Sequence, residues 1–118
     1  MPELPEVETV KRALDKTISN KKIIDFYHGE KNLRFPFPRK HSKEIIGNKI
    51  LRPYRLGKYC ILPLSSKKNL LIHLGMSGKI SILKKRPKMR KHDHILISLE
   101  GGIYLLYNDQ RRFGFINL

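Results

Sequence analysis

Helical periodicity dominates one long stretch of this chain, at its start, while short apolar runs cut by glycines and polar turns fill most of the rest. Leu4, Val7, Val10 and Leu14 recur at three- and four-residue intervals, which places them on one face of a helix. Glu3, Glu6 and Glu8 crowd its first turns, and Lys11, Arg12 and Lys16 lie nearer its end, a polarity that complements the helix dipole. Pro5 is tolerated because it falls in the first turn, where its missing N–H has no partner to lose. The spacing predicts a helix over Glu3 to Lys16 with Pro2 exposed at its tip.

After Ser19-Asn20 the pattern changes. Lys22–Tyr27 reads as a first strand, Gly29–Asn32 as a turn, and Phe35–Pro38 as extended chain, since proline disfavours a helical residue before it. A short second helix is expected over Arg39–Ile46. Lys49–Arg55 and Lys58–Leu64 read as strands divided by Leu56-Gly57, and 58–64 with 70–74 as an antiparallel hairpin across the polar Ser65–Asn69. Leu70, Ile72 and Leu74 share one face of that second strand, Leu71 and His73 the other. Gly75, Ser77 and Gly78 mark a tight turn before a strand at Lys79–Leu83. His94–Leu99 and Ile103–Tyr107 form a hairpin around Gly101-Gly102. Asn108–Gly114 is a loop, and Phe115–Leu118 a last apolar strand. One helix beside seven or eight short strands predicts an α+β, mainly β fold: an antiparallel two-sheet sandwich with the N-terminal helix packed beside it. No repeat or linker divides the 118 residues, so they form a single domain.

Charge narrows the function. Twenty-five Lys and Arg against ten Asp and Glu leave a formal charge of +15, which predicts a polyanionic partner, nucleic acid before a membrane surface. Six of the eight residues in Lys84–Lys91 are basic, around Pro87, as expected of a solvated loop that adds non-specific attraction for phosphates. No apolar run approaches the roughly 18 residues of a spanning helix, and the acidic, periodic start lacks the apolar core of a signal peptide. Cys60 is the only cysteine, which excludes an intramolecular disulfide and a cysteine-built metal site and suits a reducing cytoplasm. Lying in an apolar run, it reads as an inert core residue.

Pro2 and Glu3 carry the candidate chemistry. With Met1 removed, Pro2 presents a secondary α-amine; such terminal amines titrate near about 7.7–8.0, against roughly 10.4 for lysine, so far more is unprotonated at neutral pH. An unprotonated amine attacks an electrophilic carbon and forms an imine. The adjacent Glu3 carboxylate moves protons as general acid and base. Composition alone leaves the plainer reading open, in which Met-Pro is an ordinary start and the acids favour a helix N-terminus. Likewise, read singly, Met76 and Phe113 fit a core, His73 a satisfied strand histidine and Lys58 an ordinary surface lysine.

Taken together, Pro2–Val10 (PELPEVETV), His73–Gly78 (HLGMSG) and Asp109–Gly114 (DQRRFG), supported by Lys58-Tyr59 and Lys91–His94 (KHDH), resemble the N-terminal domain of bacterial formamidopyrimidine-DNA glycosylases. These are base-excision enzymes for oxidised purines, and the resemblance spans essentially the whole chain. Leu4-Pro5-Glu6-Val7 favours this branch over its endonuclease VIII-like relatives. The resemblance implies that Pro2 attacks the sugar C1′ of the damaged nucleotide, Glu3 protonates the ring oxygen and Glu6 supports the same pocket, with Lys58 counted in the catalytic set. Glycosylase and β,δ-elimination abasic-site lyase activities then come together, because the imine acidifies the neighbouring carbon.

Such enzymes extrude the target nucleotide from the stack. Met76, Arg111 and Phe113 match the family's void-filling residues, with Arg111 facing the orphaned cytosine. Lys58, His73, Arg112 and, more weakly, His92 match its phosphate contacts. The implied partner is double-stranded DNA carrying oxidised purines or abasic sites, bound by a monomer in the bacterial cytoplasm at the nucleoid, without a membrane. Gln110 departs from the family, where proline usually stands. The family also continues into a helix–two-turns–helix unit and a four-cysteine zinc finger, neither of which is in these residues. No cofactor is therefore expected from this chain, and DNA binding by it should be weak and salt-sensitive. Two other readings stay open on the residues alone: a basic β-sandwich that binds nucleic acid without chemistry, and an inactive remnant of the enzyme.

Overall fold

A computed structural model describes residues 4–29, 37, 39–112 and 114–118. The first element is α1 (Leu4–Ile18). It buries Val7, Leu14 and Ile18, and it runs a half turn past Lys16 because Ile18 continues the apolar stripe. Asn20, at φ 68°, ends it in the left-handed conformation that asparagine tolerates, while Lys21 N–H donates back to the Ile18 carbonyl at 3.1 Å.

Then follow β1 (Ile23–His28), α2 (Arg39–Ile45), β2 (Tyr54–Leu56), β3 (Tyr59–Pro63), β4 (Asn69–His73), β5 (Gly78–Leu83), β6 (Asp93–Leu99), β7 (Ile103–Asp109) and β8 (Phe115–Asn117). They form two four-stranded antiparallel sheets, ordered β1-β6-β7-β5 and β2-β3-β4-β8. The two-sheet sandwich with a flanking helix is thus the architecture that the apolar patterning predicts. Its core lies between the sheets, where Cys60, Leu62, Leu70 and Ile72 meet Ile95, Ile97, Leu105 and Tyr107, with Leu14 and Ile18 of α1 closing one side. Every residue of β6 is buried, as befits a strand paired on both sides and packed within the sandwich.

One expected strand is broken. Lys49 and Ile50 make single bridges to Lys22 and Leu64, and pairing resumes only at Tyr54. Pro53 stands between, with no N–H to give a ladder. The turn expected at Gly29–Asn32 and the extended Phe35–Pro38 lie outside the described residues, apart from Gly29 and the buried Phe37, which stacks on Phe26 at 4.7 Å between ring centroids. No helix among the described residues is long and apolar enough to cross a membrane.

Candidate active site and nucleic-acid interface

Antiparallel pairing gathers distant motif residues at one end of the sandwich. Lys58 precedes β3, His73 closes β4, Met76 sits in the β4–β5 turn, His92 precedes β6, and Arg111 and Arg112 follow β7. The register makes them neighbours: Tyr59 lies opposite His73, His73 opposite Phe115, and Gly78 opposite Asp109.

Helix α1 points its start toward the same end. Arg52 Nε reaches Asp15 at 3.3 Å, and Arg55 Nε reaches Glu8 at 2.9 Å. Moving along the chain from Arg52 to Arg55, toward the Lys58 turn, therefore means moving up the helix from Asp15 to Glu8. Arg55 also donates from Nη1 to the Gly57 carbonyl at 3.0 Å, so one guanidinium joins the helix to the turn carrying Lys58. Glu8 is bound by Lys11 at 3.0 Å and Arg12 at 2.9 Å as well. Those cations, Lys11 and Arg55 foremost, hold its carboxyl down at about 2. Glu6 lies exposed on the first turn of α1. Pro2 and Glu3 precede the described residues, and Phe113 is likewise outside them.

His73 is almost wholly buried, at 7 % exposure, rather than standing out from its strand. Its ring stacks on Phe115 at 5.5 Å and meets Tyr59 edge-on at 5.2 Å. Gly75 N–H donates to its Nδ1 at 3.1 Å, which assigns the ring proton to Nε2. Such a histidine is fixed in orientation, with its proton on Nε2. Lys58 is exposed in its turn.

The Met76 turn, Arg111 and Arg112 are held by a buried polar knot that the sequence did not disclose. Asp109 has no solvent exposure. Its Oδ1 accepts from Ser77 Oγ at 2.7 Å and from Arg112 N–H at 3.0 Å. Its Oδ2 accepts from Tyr107 Oη at 3.0 Å and from Gly114 N–H at 2.9 Å. The Asp109 carbonyl takes His94 Nε2–H at 2.7 Å, and Ser77 Oγ in turn accepts Arg111 N–H at 3.0 Å. Above this knot Met76 stands 51 % exposed, with Arg111 Nη1 3.3 Å from its sulfur. The exposed methionine and arginine thus come from two turns but occupy one place. Arg112, at φ 57°, is exposed in a strained left-handed position that the Asp109 bond sustains.

Glycines are forced here by contact. A Cβ on Gly114 would lie 2.1 Å from Tyr107 Oη and 2.4 Å from the His73 carbonyl oxygen. One on Gly78 would lie 2.2 Å from the Leu74 carbonyl oxygen. The single Tyr107 hydroxyl proton is shared between Asp109 Oδ2 and the His73 carbonyl oxygen 3.2 Å away, and burial, then the charge and hydrogen bond of Asp109, push that hydroxyl far above the ordinary phenol range. The signal for this knot was a lone acid opening a loop whose N–H groups need acceptors.

The residues present do not suit a structural zinc. Among those described, no group of three or more His, Cys, Asp or Glu could hold a metal ion, and burial pushes the Cys60 thiol up to about 11. The open groove between α2 and β4, lined by Lys40, His41, Glu44, Lys68, Asn69, Leu71 and Leu118, contains none of the motif residues.

Comparison with known proteins identifies the family. A sequence model of the formamidopyrimidine-DNA glycosylase N-terminal domain matches residues 1–116. The formamidopyrimidine-DNA glycosylases of Bartonella tribocorum and Bartonella quintana are 43 % and 45 % identical over 130 aligned residues. That of a Cereibacter sphaeroides strain is 39 % identical over 126. In each case the whole of this chain aligns, but it spans only 45 %, 45 % and 44 % of the relative's length. Among solved structures, Lactococcus lactis FPG with FAPY-dG-containing DNA superposes with a TM-score of 0.85 at 34 % identity, over 98 % of this chain and 43 % of that one. The same protein with abasic-site DNA gives 0.86 at 34 % identity over the same shares. With motifs, fold and relatives in accord from end to end, the chain belongs to the formamidopyrimidine-DNA glycosylase family and corresponds to its N-terminal domain.

Proposed function

We propose that this chain is the nucleophile-bearing domain of a DNA repair glycosylase and abasic-site lyase acting on oxidised purines. The amine of Pro2, freed of Met1, attacks C1′ of the extruded nucleotide, and the C1′–N bond to the base breaks as the base leaves with a proton. Glu3 protonates the ring oxygen, so the sugar opens as the imine forms, and Glu6 supports that pocket. Withdrawal of electrons into the imine lets the C2′ proton leave and expels the 3′-phosphate; a second elimination expels the 5′-phosphate. The imine is itself the electron sink, so this reaction asks no metal or cofactor of these residues.

Lys58, His73, Arg112 and His92 grip phosphates, contacts that position the duplex without reading its sequence. Met76, Arg111 and Phe113 fill the void, as apolar wedges do in other DNA-bending proteins. The domain works as a monomer on nucleoid DNA in the cytoplasm, and the family's zinc belongs to a region beyond these residues.

The observation that best supports this reading is the meeting of Met76 and Arg111 on the end of the sandwich toward which α1 points its start. A pure phosphate-binding module gives no reason for that convergence. Borohydride reduction in the presence of abasic-site DNA tests it. A covalent adduct is expected from protein that begins at Pro2, and none from Pro2→Gly or from protein retaining Met1. No adduct from material shown by mass to start at Pro2 leaves only a DNA-binding domain. Glu3→Gln should suppress base excision more than cleavage at an abasic site, and equal loss of both contradicts its role.

A further inference from the structure

We infer that Asp109 is the positioning residue that fixes the Met76 turn together with Arg111, Arg112 and Gly114 as one unit, and thereby sets the wedge that enters the duplex. The first half stands on geometry alone; the second rests on the function proposed above.

A carboxylate offers about four lone-pair positions. Here all four are used, by Ser77 Oγ and Arg112 N–H on one oxygen and by Tyr107 Oη and Gly114 N–H on the other. Two of these donors are hydroxyls that can rotate; two are backbone amides that cannot. They sit on both sides of position 113 and across the gap to the other turn. Ser77 relays the tie onward to Arg111 N–H. The segments are 32 residues apart in sequence, so no local turn rule holds them together. Asp109 is itself clamped by its own backbone, through N–H to the His92 carbonyl at 2.9 Å and C=O to His94 Nε2. The knot is thus anchored in β6 and β7 and reaches outward to the loops.

Asp109→Asn is the discriminating change because it keeps the shape. Either orientation of the amide puts an NH₂ group against a backbone N–H, of Arg112 in one and of Gly114 in the other. The hydroxyls of Ser77 and Tyr107 can turn to accept, but the amide must lose its partner. The loop must shift or open. Ser77→Ala is the milder companion: it removes the relay to Arg111 and leaves Arg112 and Gly114 bound.

The experiment has two arms on the 118-residue chain. In the absence of DNA, amide hydrogen exchange is followed by NMR. Asp109→Asn should speed exchange at Arg112 and Gly114 by about tenfold or more, while Leu105 and Leu106 in β7 change much less. Ser77→Ala should release Arg111 alone. Unchanged exchange at Arg112 and Gly114, or a uniform rise over the whole chain, overturns the positioning role.

In the second arm, duplex with a tetrahydrofuran abasic analogue carries 2-aminopurine beside the gap, so wedge insertion appears as a change in its fluorescence. Asp109→Asn should lose most of the change seen with the parent chain, while affinity for undamaged duplex falls by a smaller factor, because Arg112 is one phosphate contact among several. Parallel loss on both duplexes overturns the wedge claim. Local exchange effects with no fluorescence change from the parent chain remove the proposed wedge function and leave the loop assignment supported.

Discussion

Two carboxylates order the functional end of this molecule by opposite means. Glu8 is partly exposed and gathers three cations, Lys11 and Arg12 from its own helix and Arg55 of β2, the last of which ties α1 to the sheet. Asp109 is sealed from solvent and gathers four neutral donors to bind two loops. The surface cluster is an ionic clasp, weakened by salt and replaceable in part by water. The buried one has no water to fall back on, so each donor it loses is left unsatisfied. The ionic tie between α1 and the sheet is therefore the softer of the two, and the tie between the loops the more rigid.

Removing each clasp should expose the contrast. As measured by urea unfolding, Asp109→Ala is expected to cost about 3 kcal/mol or more, because it strands several buried donors at about 1–3 kcal/mol each. A loss under about 1 kcal/mol would mean that water replaces the carboxylate and that the platform is not rigid. Gly114→Ala comes next, at about 1–3 kcal/mol, since its Cβ meets the His73 backbone rather than the end of a side chain that could yield.

The pH limbs separate the two clasps further. Tyr107 is raised in the folded state, so its contribution is complete below the ordinary phenol value of 10.0 and is lost as pH climbs above it. Tyr107→Phe should flatten the alkaline limb of stability at a cost of about 1 kcal/mol near neutrality for the lost hydrogen bonds. Glu8 is shifted the other way, so its contribution is present above 4.5 and fades as pH falls toward about 2. Glu8→Gln should flatten the acid limb, with a smaller effect at neutral pH that shrinks further in high salt. A salt-independent Glu8→Gln effect as large as that of Asp109→Ala would erase the distinction between soft and rigid tethers.

The sequence disclosed those parts of the molecule whose physics is local. Leu4, Val7, Val10 and Leu14 reveal α1 because helical period shows within a dozen residues, and the hairpins around Ser65–Asn69 and Gly101-Gly102 show as alternation broken by turn formers. Pro53 was visible as well, yet its cost to pairing depends on neighbours across the sheet. His73 was correctly placed on the strand face opposite Leu70 and Ile72, but its burial comes from Tyr59 and Phe115 on the two adjacent strands, which no spacing rule brings together. Asp109 was the least legible residue of all. Its type suggests a solvated loop acid, and only the fold puts Ser77, Tyr107, Arg112 and Gly114 around it.

Read singly, Met76 fits a core, yet the fold leaves it 51 % exposed in its turn. Its association with Arg111 was implied by the resemblance but by no spacing rule, because it arises where the β4–β5 and β7–β8 connections meet at one end of two sheets.

Which atom of the protein joins the DNA is the most direct test of the proposed chemistry. Chain that begins at Pro2 is reduced with borohydride on abasic-site duplex, digested, and the cross-linked peptide sequenced by mass spectrometry. The sugar-derived mass should reside on the Pro2 nitrogen, and blocking that nitrogen by formylation should abolish the cross-link. A sugar attached instead to a lysine, such as Lys58 or one of Lys84–Lys91, would show that adventitious amines trap the aldehyde and that the N-terminus is not the nucleophile.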